Sequence, residues 1–264
     1  MIKPFTHFFS GSAHTVIEQM VKDGIVHSIM PSFYYPDGLD YLTGKENVIC
    51  DSGAHTLQED GTVPDFDGYH NRYKNFIADY KHKDKIIWVE LDVDQDTDIT
   101  IQQVDDSTRD LERLGIKVMR VWHKNRGIKE WQKYCDEYDY LGLSALDGLT
   151  TQQLNYLVGY AYKKKVKVHG FGCGRWQLWT KVPFYSVDST SPLKATAYGQ
   201  VLNPTGNRTH VEKVNYRDQI GGFYKMLKRE KGYNNEVVAQ NIYKMLEMEA
   251  NVRKLWHRRK INQW

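Results

Sequence analysis

Asn47-Val48-Ile49-Cys50-Asp51-Ser52-Gly53-Ala54-His55-Thr56 is the stretch on which the reading of this chain turns. Val48, Ile49 and Cys50 form an apolar run of the length of a short buried strand, and Asp51, Ser52 and Gly53 bring polar and turn-forming residues together where it ends. The same pattern, an apolar run closed by an aspartate, returns at Ile86 to Asp92 and at Tyr185 to Asp188. Three acids at the mouths of three strands predict a single sheet or barrel with carboxylates gathered at one end.

Outward from that stretch the chain alternates strand and helix. Pro4 to Gly11 reads as a first strand, Ser12 as the cap of a helix over Ala13 to Lys22, and Ile25 to Met30 as a second strand. Ser32 to Glu46, rich in Tyr, Pro and Gly, is a long loop of the kind that often carries function. After the third strand come a helix from Asp67 to His82, a strand from Ile86 to Leu91 and a helix over Ile101 to Leu114. Ile116 to Trp122, Tyr140 to Ala145, Val166 to Phe171 and Phe184 to Asp188 complete the strands. Helices are expected at Ile128 to Tyr138, Thr151 to Lys164 and, briefly, Trp176 to Lys181.

Eight strands alternating with helices call for an α/β fold with a parallel sheet, and the count favours closure into a (β/α)8 barrel of the TIM type. A doubly wound open sheet is the alternative, weakened because no Gly-x-Gly-x-x-Gly follows the first strand. Residues 1–200 are expected to form the barrel and 201–264 a basic helical extension packed on it. Beyond about Tyr198 no strand is expected, and residues 218 to 257 read as two helices split at Gly232 to Asn235.

With 264 residues the chain has the length of one such barrel, about 250 residues being typical. Hydrophobic residues at 41% and charged residues at 26% fit an ordinary globular protein rather than a disordered one. No apolar run of about 18 residues is present and the amino terminus has no signal-like segment, so a cytoplasmic location is expected. The three cysteines, Cys50, Cys135 and Cys173, are widely spaced, which supports neither a disulfide framework nor a cysteine zinc site. A net charge of +3 does not announce a nucleic-acid partner by itself, but Arg253, Lys254, Arg258, Arg259 and Lys260 cluster near the carboxyl terminus without an acid.

In a closed barrel the residues after different strands meet around one opening. Asp51, Asp92, Trp122, His123, Asp147, Gly148, His169 and Asp188 all stand at or just after predicted strand ends. An acid in such a place is often only a helix cap or turn residue; three in corresponding places favour a site. Asp94, Asp96 and Asp98 lack the Gly and final Glu of a calcium loop, and no His-x-His or His-Glu-x-x-His is present, so a metal is possible but unsupported and no cofactor is called for.

These residues carry a resemblance. Asp51-Ser52-Gly53-Ala54-His55 resembles the Asp-Ser-Gly-Gly-Phe motif of the tRNA-guanine transglycosylases, and Leu91-Asp92 resembles the apolar residue and Asp after their next strand. Asp147-Gly148-Leu149 is similar to their Gly-Gly-Leu and His169-Gly170-Phe171-Gly172 to their Met-Gly-Val-Gly; Val187-Asp188-Ser189 falls at the place of their nucleophile. The order and spacing cover about residues 47 to 190. The resemblance implies a (β/α)8 barrel that exchanges guanine in a nucleic acid for a 7-deazaguanine base. Asp188 would be the nucleophile, Asp51 the general acid/base and Asp92 the reader of the guanine edge. Gly148 and Leu149 would bind the base carbonyl through their backbone, and Ser52, His55, Trp122, His123 and His169 would line the base.

The departures are specific. No cysteine follows Cys173, so the family's structural zinc site is absent; Val121-Trp122-His123-Lys124 replaces Val-Gln-Gly-Gly; His55 replaces the stacking Phe; and Lys194 is the nearest cation after Asp188. In this the chain resembles compact, zinc-free bacteriophage relatives that place 7-deazaguanine bases in DNA, so DNA is favoured over tRNA as partner. Phosphate contacts are expected from the basic terminus, with Trp256, His257 and Trp264 available for stacking. Two other readings stay open: a barrel hydrolase using the same acids, with or without a metal, and a nucleic-acid-binding module without turnover.

Overall fold

The computed structural model describes residues 4–12, 14–54, 65–93, 99–144, 148–198, 200–205, 210–215 and 235–261. His55, Asp147, Trp264, the series Asp94 to Asp98 and the first of the two expected carboxyl-terminal helices lie outside these residues.

Eight parallel strands close into a barrel in sequence order: β1 (Thr6–Ser10), β2 (Ser28–Met30), β3 (Asn47–Cys50), β4 (Ile86–Val89), β5 (Lys117–Trp122), β6 (Tyr140–Ser144), β7 (Lys167–Phe171) and β8 (Ser186–Ser189). The closing seam pairs Thr6 with Ser186 and runs to Phe9 with Ser189. Around the barrel stand α1 (Thr15–Lys22), α2 (Phe66–Asp79), α3 (Ile101–Glu112), α4 (Gly127–Glu137), α5 (Thr151–Lys163), α6 (Ser191–Ala197) and, after a hairpin, α7 (Asn235–Arg258). Short 3-10 turns at Pro36–Leu39 and Trp176–Thr180 stand where helices would follow β2 and β7.

Side chains on a strand alternate between its two faces, and that rule sorts the core. Phe8, Met30, Ile49, Val89, Met119 and Val121 pack together inside the barrel, with Ile87, Tyr140 and Phe171 against them. Their strand neighbours Phe9, Ile29, Val48, Trp88 and Trp122 belong to the layer between strands and helices. Local signals set the helix starts: Thr100 and Thr150 each form a reciprocal cap with a glutamine three residues on. The first helix begins later than expected, because His14 rather than Ser12 caps it, its Nδ1 accepting from the Val16 N–H.

The chain beyond Tyr198 departs from expectation. Gln200–Thr205 (β9) and His210–Asn215 (β10) pair as an antiparallel hairpin. Pro204 lies within β9, and in a two-stranded ribbon both strands are edges, where a missing N–H is tolerated. Helix α7 then returns along the outside of the barrel and packs on α6, β9, α1 and β1. Asn241 pins it there. The fully buried amide accepts from the Leu202 N–H at 2.8 Å and donates toward Thr196 Oγ1 at 3.0 Å and the Pro192 and Gln200 carbonyls at 3.3 Å.

Replacing Asn241 with Leu leaves the Leu202 N–H without its acceptor in a dry place, at about 1–3 kcal/mol for a group that finds no substitute, while the Thr196 hydroxyl keeps its bond to the Pro192 carbonyl. Urea unfolding is expected to show Asn241→Leu less stable by about 1–3 kcal/mol; an unchanged midpoint would contradict the pinning role.

Candidate functional site

At the carboxyl-terminal mouth the pleat brings Asp188 of β8 inward, buried at 7% exposure. Its Oδ2 accepts from Ser10 Oγ at 2.7 Å and its Oδ1 from the Gly172 N–H at 2.6 Å. His169 Nε2 stands 3.4 Å from the same Oδ1. Desolvation alone would raise the carboxyl, but His169 beside it, with the Ser10 and Gly172 donors, holds Asp188 below the ordinary carboxylate value.

Asp51, just past β3, is half-buried in the same mouth. Its backbone continues the ladder as a single bridge to Ser32, with Asp51 N–H donating to Pro31 and Asp51 C=O accepting from Phe33, both at 2.8 Å. The chain then turns through Gly53 at φ 81°, where a Cβ would lie 2.8 Å from the Tyr34 Cβ and 2.9 Å from the Tyr69 hydroxyl, so only glycine fits. Asp51 is pushed the other way from Asp188, up to about 7. Desolvation is the largest cause, the charges of Asp92 and Asp188 add to it, and backbone N–H donors from Gly53 and Ser52 oppose it. Two aspartates at one mouth thus differ in proton affinity because donors outweigh desolvation at Asp188, whereas at Asp51 desolvation and like charge outweigh the donors.

Asp92 follows β4, and its Oδ2 lies 2.9 Å from His123 Nε2 at the end of β5. Gly148 and Leu149 follow β6 on the same side, Gly148 exposed at φ 65° and Leu149 buried.

Other expected site residues are placed differently. Trp122 cannot share the mouth with His123, since neighbours on a strand face opposite ways; its indole lies outside the barrel against Trp131 and donates to the Gly127 carbonyl at 2.8 Å. His169 is fully buried beneath the mouth and touches Asp188 rather than an open surface. Ser52 is a buried turn residue whose carbonyl accepts from the Tyr69 hydroxyl. The basic terminus lies at the opposite end of the barrel. Arg253 donates to the Pro4 and Phe5 carbonyls ahead of β1 and pairs with Glu249. Arg259 donates to the Thr180 carbonyl at 2.7 Å and lies over the Trp256 ring, with Lys254, Arg258 and Lys260 exposed nearby. The reason is the direction of α7, which starts beside the segment after β8 and runs down to the amino-terminal end of β1. Exposed cations at the mouth are Lys124 after β5, Arg175 after β7 and Lys194 after β8.

The sequence reading passed over Ser10, Ser186 and Tyr140. Ser186 stands two residues before Asp188 and therefore on the same face, which was the available signal; Ser10 and Tyr140 come to this place only through strand register. Among the described residues, no three His, Cys, Asp or Glu side chains converge as a metal ion would need, and no helix is long and apolar enough to cross a membrane.

The fold and this mouth define a closed (β/α)8 barrel with carboxylates of opposed proton affinity at the end where barrels of this class carry their sites. Neither a scan against protein-family models nor a search of curated proteins finds a match to the chain.

The opposed aspartates have a signature in stability. A carboxyl raised from 3.8 to about 7 on folding favours the native state while protonated in it, and that contribution is lost as pH rises through about 7. The difference corresponds to at most about 4 kcal/mol, less in proportion to the water that reaches the half-buried group. Asp188 has the opposite sign: its contribution is present above 3.8 and is lost as pH falls through its lower folded value. Asp51→Asn is therefore expected to be more stable than the wild type at pH 8 and to lose that advantage below pH of about 4. Equal stability of the two at pH 8 would contradict the raised value.

Proposed function

We propose that this chain is a guanine transglycosylase, exchanging guanine in a nucleic acid for a 7-deazaguanine base, with DNA favoured over tRNA. The observation that carries the reading is the pairing of an ionised Asp188 with a protonatable Asp51 at one barrel mouth, because two like groups set to opposite protonation states are what nucleophile and acid require. The motif order from Asp51 to Asp188 gives the substrate class by resemblance.

In the first half of the reaction an Asp188 oxygen bonds to the anomeric carbon as the bond from that carbon to guanine breaks. The bonding pair leaves with the base, and Asp51 donates the proton that neutralises it. In the second half Asp51 takes a proton from the incoming base, whose nitrogen attacks the same carbon and displaces the Asp188 carboxylate. A value near 7 suits a group that must both give and take a proton. Asp92 accepts from the donor edge of guanine, which adenine lacks, and His123 orients that carboxylate at 2.9 Å. The target nucleotide must leave its stack to reach a recessed nucleophile.

Phosphate contacts belong with Lys124, Arg175 and Lys194 on the mouth side rather than with the terminal cluster, and Tyr35, 58% exposed after β2, offers a stacking face.

Asp188→Asn is expected to fold and to form no covalent adduct with guanine-containing DNA or tRNA on denaturing gels; an adduct that persists would contradict the nucleophile. Asp92→Asn should cost about 1–3 kcal/mol of selectivity for guanine over adenine, and unchanged preference would remove its role. Replacing Lys124, Arg175 and Lys194 by Ala should weaken polymer binding and flatten its salt dependence, by about 0.9 in log–log slope for each phosphate no longer neutralised, whereas Arg258→Ala with Lys260→Ala should not. The reverse result would return the polymer to the opposite end.

A further inference from the structure

A line of polar side chains runs beneath the mouth through three adjacent strands. The Tyr140 hydroxyl of β6 is hydrogen-bonded to Ser186 Oγ of β8. Ser186 Oγ lies 2.7 Å from His169 Nδ1 of β7, and His169 Nε2 lies 3.4 Å from Asp188 Oδ1. Ser186 and His169 have no exposed surface. Nothing in the exchange chemistry above uses Tyr140, Ser186 or His169.

Donor and acceptor bookkeeping gives the line a direction. Each hydroxyl has one proton to donate. Run from Tyr140, the phenol donates to Ser186, Ser186 donates to His169 Nδ1, and the neutral ring carries its proton on Nε2, facing Asp188. Run the other way, Nδ1 holds the proton and a bare Nε2 lone pair faces a carboxylate oxygen, acceptor against acceptor. An imidazolium again has a proton on Nε2. With Asp188 ionised, every arrangement free of that repulsion aims an N–H at Asp188 Oδ1. Burial holds the Tyr140 phenol well above its ordinary value, so it stays a donor.

We propose that Tyr140, Ser186 and His169 are positioning residues that fix an Nε2–H on the nucleophilic carboxylate of Asp188 and hold it oriented as the anion. The proposal rests on the transglycosylase reading for its kinetic consequence, though not for its effect on Asp188 itself. Gly172 and His169 engage Oδ1, while Ser10 donates to Oδ2. When an Asp188 oxygen bonds to the anomeric carbon the carboxylate charge is spent and the Nε2–H interaction weakens; when the second base breaks that bond the charge and the interaction return. The line therefore favours departure of Asp188 in the second half of the reaction.

The other titratable groups around Asp188 are Asp51 after β3, His7 on the outer face of β1 and Cys173 after β7. Burial takes His7 down to about 3 and keeps it neutral, and burial pushes the Cys173 thiol up to about 12.

Ser186→Ala removes the link and leaves both ends in place. Carboxyl-carbon NMR of the free protein, with Asp188 assigned through Asp188→Asn, is expected to show the Asp188 midpoint rising by about one pH unit. In exchange assays the acid limb should move up by a similar amount and kcat fall about tenfold at unchanged KM. Tyr140→Phe, which deletes a single hydroxyl, should shift the midpoint the same way by less. His169→Gln supplies an amide donor that needs no relay, so it should keep the low midpoint and make Ser186→Ala silent. An Asp188 midpoint unmoved by both Ser186→Ala and Tyr140→Phe, or a His169→Gln background as sensitive to Ser186→Ala as the wild type, would overturn the proposal. A wild type that exchanges no base on DNA or tRNA would sink the transglycosylase reading, while the NMR midpoints would still decide the positioning claim.

Discussion

The Asp188 carboxylate is tied to the strands on both sides of β8, through Ser10 Oγ of β1 and the Gly172 N–H at the end of β7. The Ser10 tie crosses the seam that closes the barrel, where β1 pairs with β8 over Thr6 to Phe9. Opening that seam would take the Ser10 donor from the carboxylate, a cost that an apolar residue at the same place would never incur. Closure and the charged state of Asp188 are in this sense linked: the full set of donors exists only in the closed barrel, and these donors hold the buried carboxyl below its ordinary value.

Asp51 makes the contrast. It belongs to the same residue type, stands at the mouth of another strand and receives backbone donors from Gly53 and Ser52, yet desolvation and the charges of Asp92 and Asp188 outweigh them. The difference between the two acids resides in which strand ends they occupy, and so in what faces them across the opening. A mouth lined by carboxylates cannot have all of them equally ionised; the one with the best donors keeps its charge and raises its neighbour.

Much of this was legible in the chain. The eight apolar runs were visible because strands covered on both faces read as continuous hydrophobic stretches, and an Asp directly after a run announced a mouth residue. Alternation was also available and would have separated Trp122 from His123, since only one of two neighbours on a strand can face inward. Register was not available: that Ser10 meets Asp188, or that Tyr140 meets Ser186, follows from how strands far apart in sequence are staggered. The place of the basic terminus was hidden for a related reason. A charge cluster has no direction until the helix bearing it is placed, and α7 carries Arg253 and Arg259 down to carbonyls at the end of the barrel opposite Asp188. The β9–β10 hairpin was missed because Pro204 breaks a strand signal that the pairing itself tolerates.

On the proposed function, the mouth of this barrel is a place where a base leaves a sugar and another takes its position. The most direct measurement is retention of labelled guanine by guanine-containing DNA, and in parallel by tRNA, after incubation with the wild-type protein. Label is expected in the polymer, with DNA the better acceptor, and unlabelled guanine released in equal amount. Binding of either polymer with no label retained and no base released would contradict base exchange at this mouth.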